Sequence, residues 1–136
     1  MMTAAEVSNH TKSDPGWVLI VEDDPILRFT LAAEVSEAGY HVREARSAAE
    51  AETVLETDAP IDVVITDIEM PGSRDGLALA KSVRAFHPHI KLIVASGILP
   101  ESGVVGIADA YFGKPYDITR VIRRMRSLLG DQDHIG

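Results

Sequence analysis

Five short apolar runs, alternating with longer stretches of helical period, constrain the fold of this chain more than any other feature. They are WVLIV (Trp17 to Val21), YHVREA (Tyr40 to Ala45), IDVVIT (Ile61 to Thr66), KLIVAS (Lys91 to Ser96) and DAYFG (Asp109 to Gly113). Strands separated by helices enter a sheet through crossovers, and crossovers produce parallel pairing. WVLIV, VVIT and LIVA are apolar throughout, as central strands covered on both faces must be, whereas YHVREA is mixed and belongs at an edge. The expected architecture is α/β: a doubly wound, five-stranded parallel sheet with helices on both faces.

The helical segments show which residues face that sheet. Leu27, Leu31 and Val35 share one face of a first helix that stops near Gly39. Ala48, Ala51 and Leu55 mark a second helix, and Leu77, Ala80 and Val83 a third, with Pro71 and Gly76 read as the loop before it. In the last helix Ile118, Val121, Ile122, Met125, Leu128 and Leu129 recur at helical spacing, Arg120, Arg123, Arg124 and Arg126 point elsewhere, and Gly130 ends it. Between Ser96 and Asp109 the chain reads GILPESGVVGIA, so a fourth helix in this stretch should be short or irregular.

At 136 residues the chain is long enough for one self-sufficient core. Residues 1–16 and 131–136 are polar and unpatterned and read as mobile tails around a domain at 17–130. A net charge of -8 argues against direct nucleic-acid binding, which draws its affinity from basic residues on phosphates. No apolar run approaches the roughly 18 residues that span a bilayer, and the N-terminus lacks the apolar core of a signal peptide. The absence of cysteine excludes disulfides and thiolate metal sites. A cytoplasmic protein without membrane contact is expected. The five histidines (His10, His41, His87, His89, His134) show no ligand spacing.

In an open α/β sheet, ligands bind beyond the carboxyl ends of the strands. There the sequence places Glu22-Asp23-Asp24 after the first run, Asp67 after the third, Ser96 at the end of the fourth and Lys114 after the fifth. Acidic side chains from two strand ends form an all-oxygen site for a hard cation such as Mg²⁺. A carboxylate beside such a cation can attack a phosphoryl group, with a Lys and a Ser hydroxyl left to pair with the transferring oxygens. Other readings stand beside these: a solvated acidic loop for Glu22 and Asp23, a helix cap for Asp67, turn chemistry for Ser96-Gly97, and a surface lysine before a turn proline for Lys114.

Five features in order carry a more specific likeness: the acidic pair after the first strand, Asp67 after the third, Met70-Pro71 and a glycine in DIEMPGSRDG, Ser96 after the fourth, and Lys114-Pro115 after the fifth. From Trp17 to Leu129 the chain resembles a bacterial two-component response-regulator receiver domain. The resemblance implies the flavodoxin-like strand order 2-1-3-4-5 and makes Asp67 the phosphoacceptor, Lys114 its phosphoryl-contacting lysine and Ser96 the switch hydroxyl. It assigns Mg²⁺ to Glu22, Asp23, Asp67 and the backbone carbonyl of Glu69, with Asp23 binding directly and Glu22 largely through water. Tyr111 matches a switch aromatic of the family, although a buried aromatic on an interior strand is equally read as core. Asp24, before Pro25, has instead the position of a helix N-cap.

The partners implied are a histidine kinase or a histidine phosphotransfer protein, an unknown downstream protein, and in some receivers a second copy in a weak or phosphorylation-dependent dimer. Gly130 lies six residues from the end, so a stand-alone receiver is expected, one that is not an enzyme beyond its own phosphorylation and dephosphorylation. The four arginines of the last helix read as a solvated face or as a dock for an acidic partner. Two departures from the family pattern fall on its output side: an extra residue after Met70-Pro71 and a short connection from Ser96 to Lys114. Two other functions remain in view. Asp67-Ile68-Glu69 is similar to the start of a small aspartate-nucleophile phosphatase, and a phosphorylation-independent adaptor would need no Mg²⁺ at all.

Overall fold

In the computed structural model, which describes residues 15–68, 75–97 and 106–130, the five apolar runs form five parallel strands. These are β1 (Trp17–Val21), β2 (His41–Ala45), β3 (Val63–Asp67), β4 (Lys91–Ser96) and β5 (Ala110–Gly113). Their order is β2-β1-β3-β4-β5, which puts the mixed run at an edge and the three apolar runs in the middle. The helices are α1 (Pro25–Glu37), α2 (Ala48–Leu55), α3 (Asp75–Phe86) and α4 (Ile118–Leu128). Residues 1–14 and 131–136 of the expected tails, and most of the glycine-rich connection where a short helix was expected, lie outside the described residues. Gly16, assigned to the tail, is instead buried and accepts the His41 N–H at 3.0 Å.

Alternation along the strands feeds two cores. Leu19, Val21, Val64, Leu92 and Val94 face α2 and α3, where they meet Ala51, Leu55, Leu79, Ala80 and Val83. Val18, Ile20, Val63, Ile65 and Ile93 face α1 and α4, where they meet Leu31, Val35, Val121, Ile122 and Met125. Burying each Val, Leu, Ile or Met side chain of these sets is worth about 1.5–3 kcal/mol relative to leaving it in water. A one-residue slip of any central strand would exchange its two faces and forfeit both sets of contacts, so the register is strongly specified. Among the described residues no helix is long and apolar enough to cross a membrane.

Several boundaries differ from those the sequence implies, for local reasons. Tyr40 is not in β2 because its N–H returns to Val35 O (3.3 Å) at the end of α1. β3 begins at Val63 because the carboxylate of Asp62 accepts the Trp17 N–H (2.8 Å), where a strand would offer a carbonyl. Asp109 does the same ahead of β5, accepting the Leu92 N–H at 2.8 Å. At its other end β3 runs one residue further than expected, to Asp67. Gly76, expected in a loop, lies in the first turn of α3.

The helix starts follow their capping residues. Asp24 is extended (φ -73, ψ 113) and accepts from the Ile26 and Leu27 N–H groups, with Pro25 opening α1, as its sequence position implies. Ser47 caps α2 through Glu50 N, and Asp117 caps α4 through Thr119 N. Gly39 and Gly130 take the left-handed conformations (φ +108 and +76) that turn the chain away after α1 and α4.

Candidate functional site

The register of the sheet brings residues distant in sequence to one edge. Val21 lies opposite Thr66, Asp67 opposite Ala95, and Ser96 opposite Gly113. Glu22, Asp67, Ser96 and Lys114 therefore end four adjacent strands on the same side. Carboxylate oxygens of Glu22, Asp23 and Asp67 all lie within 4.8 Å of one another. Glu22 and Asp67 are each only 3% exposed, whereas Asp23 is half-buried at the rim.

Lys114 closes the cluster. Its backbone N–H donates to Ser96 O (2.7 Å), which ties the turn after β5 to the end of β4. Its Nζ donates to Asp67 Oδ2 at 2.5 Å and lies 3.5 Å from Glu22 Oε1. Burial disfavours the ammonium, but the hydrogen bond and charge of Asp67, with Glu22 behind it, hold the Lys114 pKa above the ordinary 10.5. Burial pushes Glu22 above its usual 4.5; the Asp24 N–H and Lys114 pull the other way, and the Asp67 charge adds to the rise. One ammonium thus faces three crowded carboxylates, a set that favours a further cation.

Ser96 is fully buried one position past the residue opposite Asp67. Tyr111 lies on β5, which is an edge strand and not the interior one expected, so it is only half-buried, packed against the core under α2 and α3. Glu69 and the Met70-Pro71 pair lie outside the described residues.

Four further residues at this edge have no part in the site as the sequence defines it. Thr66 is fully buried, and its hydroxyl donates to Asp67 O (3.2 Å). Gly76 brings α3 so close that an added Cβ would lie 2.4 Å from Ile68 Cα. The Tyr116 phenol has its pKa pushed up to about 12, chiefly by burial and then by the charge of Glu22. Arg28 donates from Nη1 to Glu22 O at 2.9 Å. An Arg on an amphipathic helix reads as surface and a Tyr after Lys-Pro as core, so no local signal marks either.

The arginines of α4 do not act as one stripe. Arg120, Arg123 and Arg124 are exposed, but Arg126 is half-buried, donates to Ala38 O (3.2 Å) and lies over the Tyr40 ring (5.8 Å to its centroid). Its charge and stem join α4 to the end of α1.

Five parallel strands in this order, with acidic groups and a lysine at their carboxyl ends, define a phosphoacceptor type of signalling module. The response regulator receiver domain family matches residues 18–126, and the chain belongs to that family. It is 35% identical over 120 residues to the transcriptional regulatory protein AruR of Pseudomonas aeruginosa, covering 82% of this chain and 48% of AruR. It is also 35% identical over 121 residues to the sensor kinase CckA of Brucella abortus, covering 85% of this chain and 13% of CckA. The chain therefore spans about half of one of these relatives and a small part of the other. Among solved structures it resembles the response regulator TrrA of Thermotoga maritima in complex with Mg²⁺ and BeF: TM-score 0.75, 29% identity, covering 83% of this chain and 98% of that one.

Proposed function

We propose that Asp67 accepts a phosphoryl group from a phosphohistidine on a partner kinase or phosphotransfer protein. The observation that carries this reading is the placement of Lys114 Nζ 2.5 Å from Asp67 Oδ2, inside a cluster whose carboxylates from β1 and β3 lie within 4.8 Å of one another. An Asp67 oxygen attacks phosphorus, the P–N bond of the donor imidazole breaks, and the imidazole leaves with the bonding electron pair and takes a proton. Lys114, already aimed at Asp67, pairs with a phosphoryl oxygen in the product, and Ser96 at the end of β4 offers its hydroxyl to another.

Glu22, Asp23 and Asp67 are the described residues that would hold Mg²⁺; the family resemblance adds the backbone carbonyl of Glu69, which lies outside the described residues. Their all-oxygen donor set and excess negative charge suit a hard divalent cation. When bound, Mg²⁺ offsets the negative charge on the transferring group. The likeness to TrrA, solved with Mg²⁺ and BeF, supports the same choice of ion. The phosphorylated domain then signals by protein contacts, with Ser96 and Tyr111 as the side chains that answer the new charge.

Intact-mass spectrometry after incubation with acetyl phosphate and Mg²⁺ tests this. The wild type should gain one phosphoryl group and Asp67→Ala none. Equal labelling of both proteins would move the acceptor elsewhere, and no labelling of the wild type would remove the proposal. Continuous turnover of small phosphate esters would indicate a phosphatase instead.

A further inference from the structure

The edge strand β2 contributes no side chain to the acidic cluster, yet two contacts run from its end to the loop that carries Glu22 and Asp23. The Glu22 N–H donates to Ala45 O at 3.0 Å. On the other side of the same residue, Glu22 O accepts from Arg28 Nη1 at 2.9 Å, while Arg28 Nε donates to Glu44 Oε1 at 3.3 Å. Glu44 and Ala45 are adjacent in β2, so both backbone bonds of Glu22 lead back to one strand end, one of them through Arg28. The Arg28 side chain is 19% exposed, so it is largely sheltered from competing water.

We propose that Arg28 is a positioning residue for the cation of the phosphoacceptor site, bracing the β1–α1 loop so that the Glu22 and Asp23 carboxylates converge with Asp67. The inference rests on the Mg²⁺-dependent reading above. Its mechanical basis is the planar peptide: a bond to Glu22 O fixes the plane that also carries the Asp23 nitrogen and Cα. With the Glu22 N–H held as well, and Glu22 Oε2 accepting from Asp24 N at 3.0 Å, the loop has little freedom left. Ligands held in place lose less freedom on binding, and groups that orient metal ligands typically matter about 10–100-fold in metal affinity.

Electrostatics alone predicts the opposite sign, which makes the idea testable. Arg28 is a cation close to a proposed cation site, and like charges repel. If Arg28 acted only as a charge, removing it would tighten Mg²⁺ binding. If it acts as a brace, removing it loosens binding.

Calorimetric titration of Mg²⁺ into the full chain and its Arg28→Met, Arg28→Lys and Glu44→Gln variants distinguishes these. Arg28→Met should bind Mg²⁺ about tenfold more weakly. Arg28→Lys keeps the charge but loses the planar fork that spans Glu22 O and Glu44, so it should weaken binding comparably. Glu44→Gln should weaken it less. Binding by Arg28→Met as tight as wild type or tighter, or wild-type affinity in Arg28→Lys, would overturn the proposal. Thermal melts establish that each variant is folded; if Arg28→Met is not, the Lys and Glu44→Gln variants decide. Failure of the wild type itself to bind Mg²⁺ would overturn the functional reading and the inference together, whereas unchanged affinity in the variants overturns the inference alone.

Discussion

Gly76→Ala sets two effects of opposite sign against each other at the site. In an exposed helix, replacing glycine by alanine gains up to about 1 kcal/mol of helix propensity. Here the new Cβ would lie 2.4 Å from Ile68 Cα, 2.5 Å from Asp67 O and 3.0 Å from Ile68 C. The first contact is about 1 Å or more short of the usual carbon separation of 3.5–4.0 Å. All three neighbours are backbone, so no rotamer change relieves the clash, and either α3 or the end of β3 must move. Overpacking of this kind costs roughly 1–3 kcal/mol and occasionally more, which exceeds the propensity gain. A net loss of about 2 kcal/mol corresponds to a fall in Tm of roughly 8 °C for a domain of this size. Thermal melts followed by circular dichroism measure it, with Gly113→Ala as control, since the nearest atom to a Cβ there is Ser96 O at 4.0 Å. Because the displaced backbone carries Asp67, the phosphoryl-labelling rate should fall as well. A Gly76→Ala protein as stable as wild type would refute the close packing of α3 on β3.

Asp24→Ala removes an N-cap that accepts from Ile26 N and Leu27 N, so it should cost about 1 kcal/mol in urea denaturation while Asp67 labelling is largely retained. Glu50 has its pKa held below 4.5 by the Arg46 N–H and then by the Arg46 side chain. The folded state thus favours ionised Glu50, which adds stability above pH 4.5 that is lost as pH falls through its lowered folded value. Glu50→Gln should melt below wild type near neutral pH, with the gap closing under acid; a gap that persists or widens in acid would contradict the assignment.

Much of this protein follows from residues close together in the chain. The apolar runs, the helical faces and the capping position of Asp24 depend on periodicity and on side chains bonding to their own backbone within two or three positions. For the same reason the five-stranded parallel sheet is legible in the sequence alone. So is the candidate cluster, because carboxylates, a serine and a lysine at strand ends have few other shared uses.

The tertiary structure alone decided distances, contacts and the fate of apparently ordinary residues. Lys114 and Asp67 are 47 positions apart, and only the pairing of β3, β4 and β5 brings them to 2.5 Å. Gly76 reads in sequence as loop punctuation, but in the fold it lets α3 rest on the backbone of Asp67 and Ile68. Arg126 has the spacing of a basic stripe, but its guanidinium lies against Ala38 and Tyr40. Arg28 carries no local signal of its bond to Glu22 O, because which carbonyl an arginine reaches depends on where another strand ends. Local pattern specifies which groups line each element, whereas register and packing between elements determine which of those groups meet.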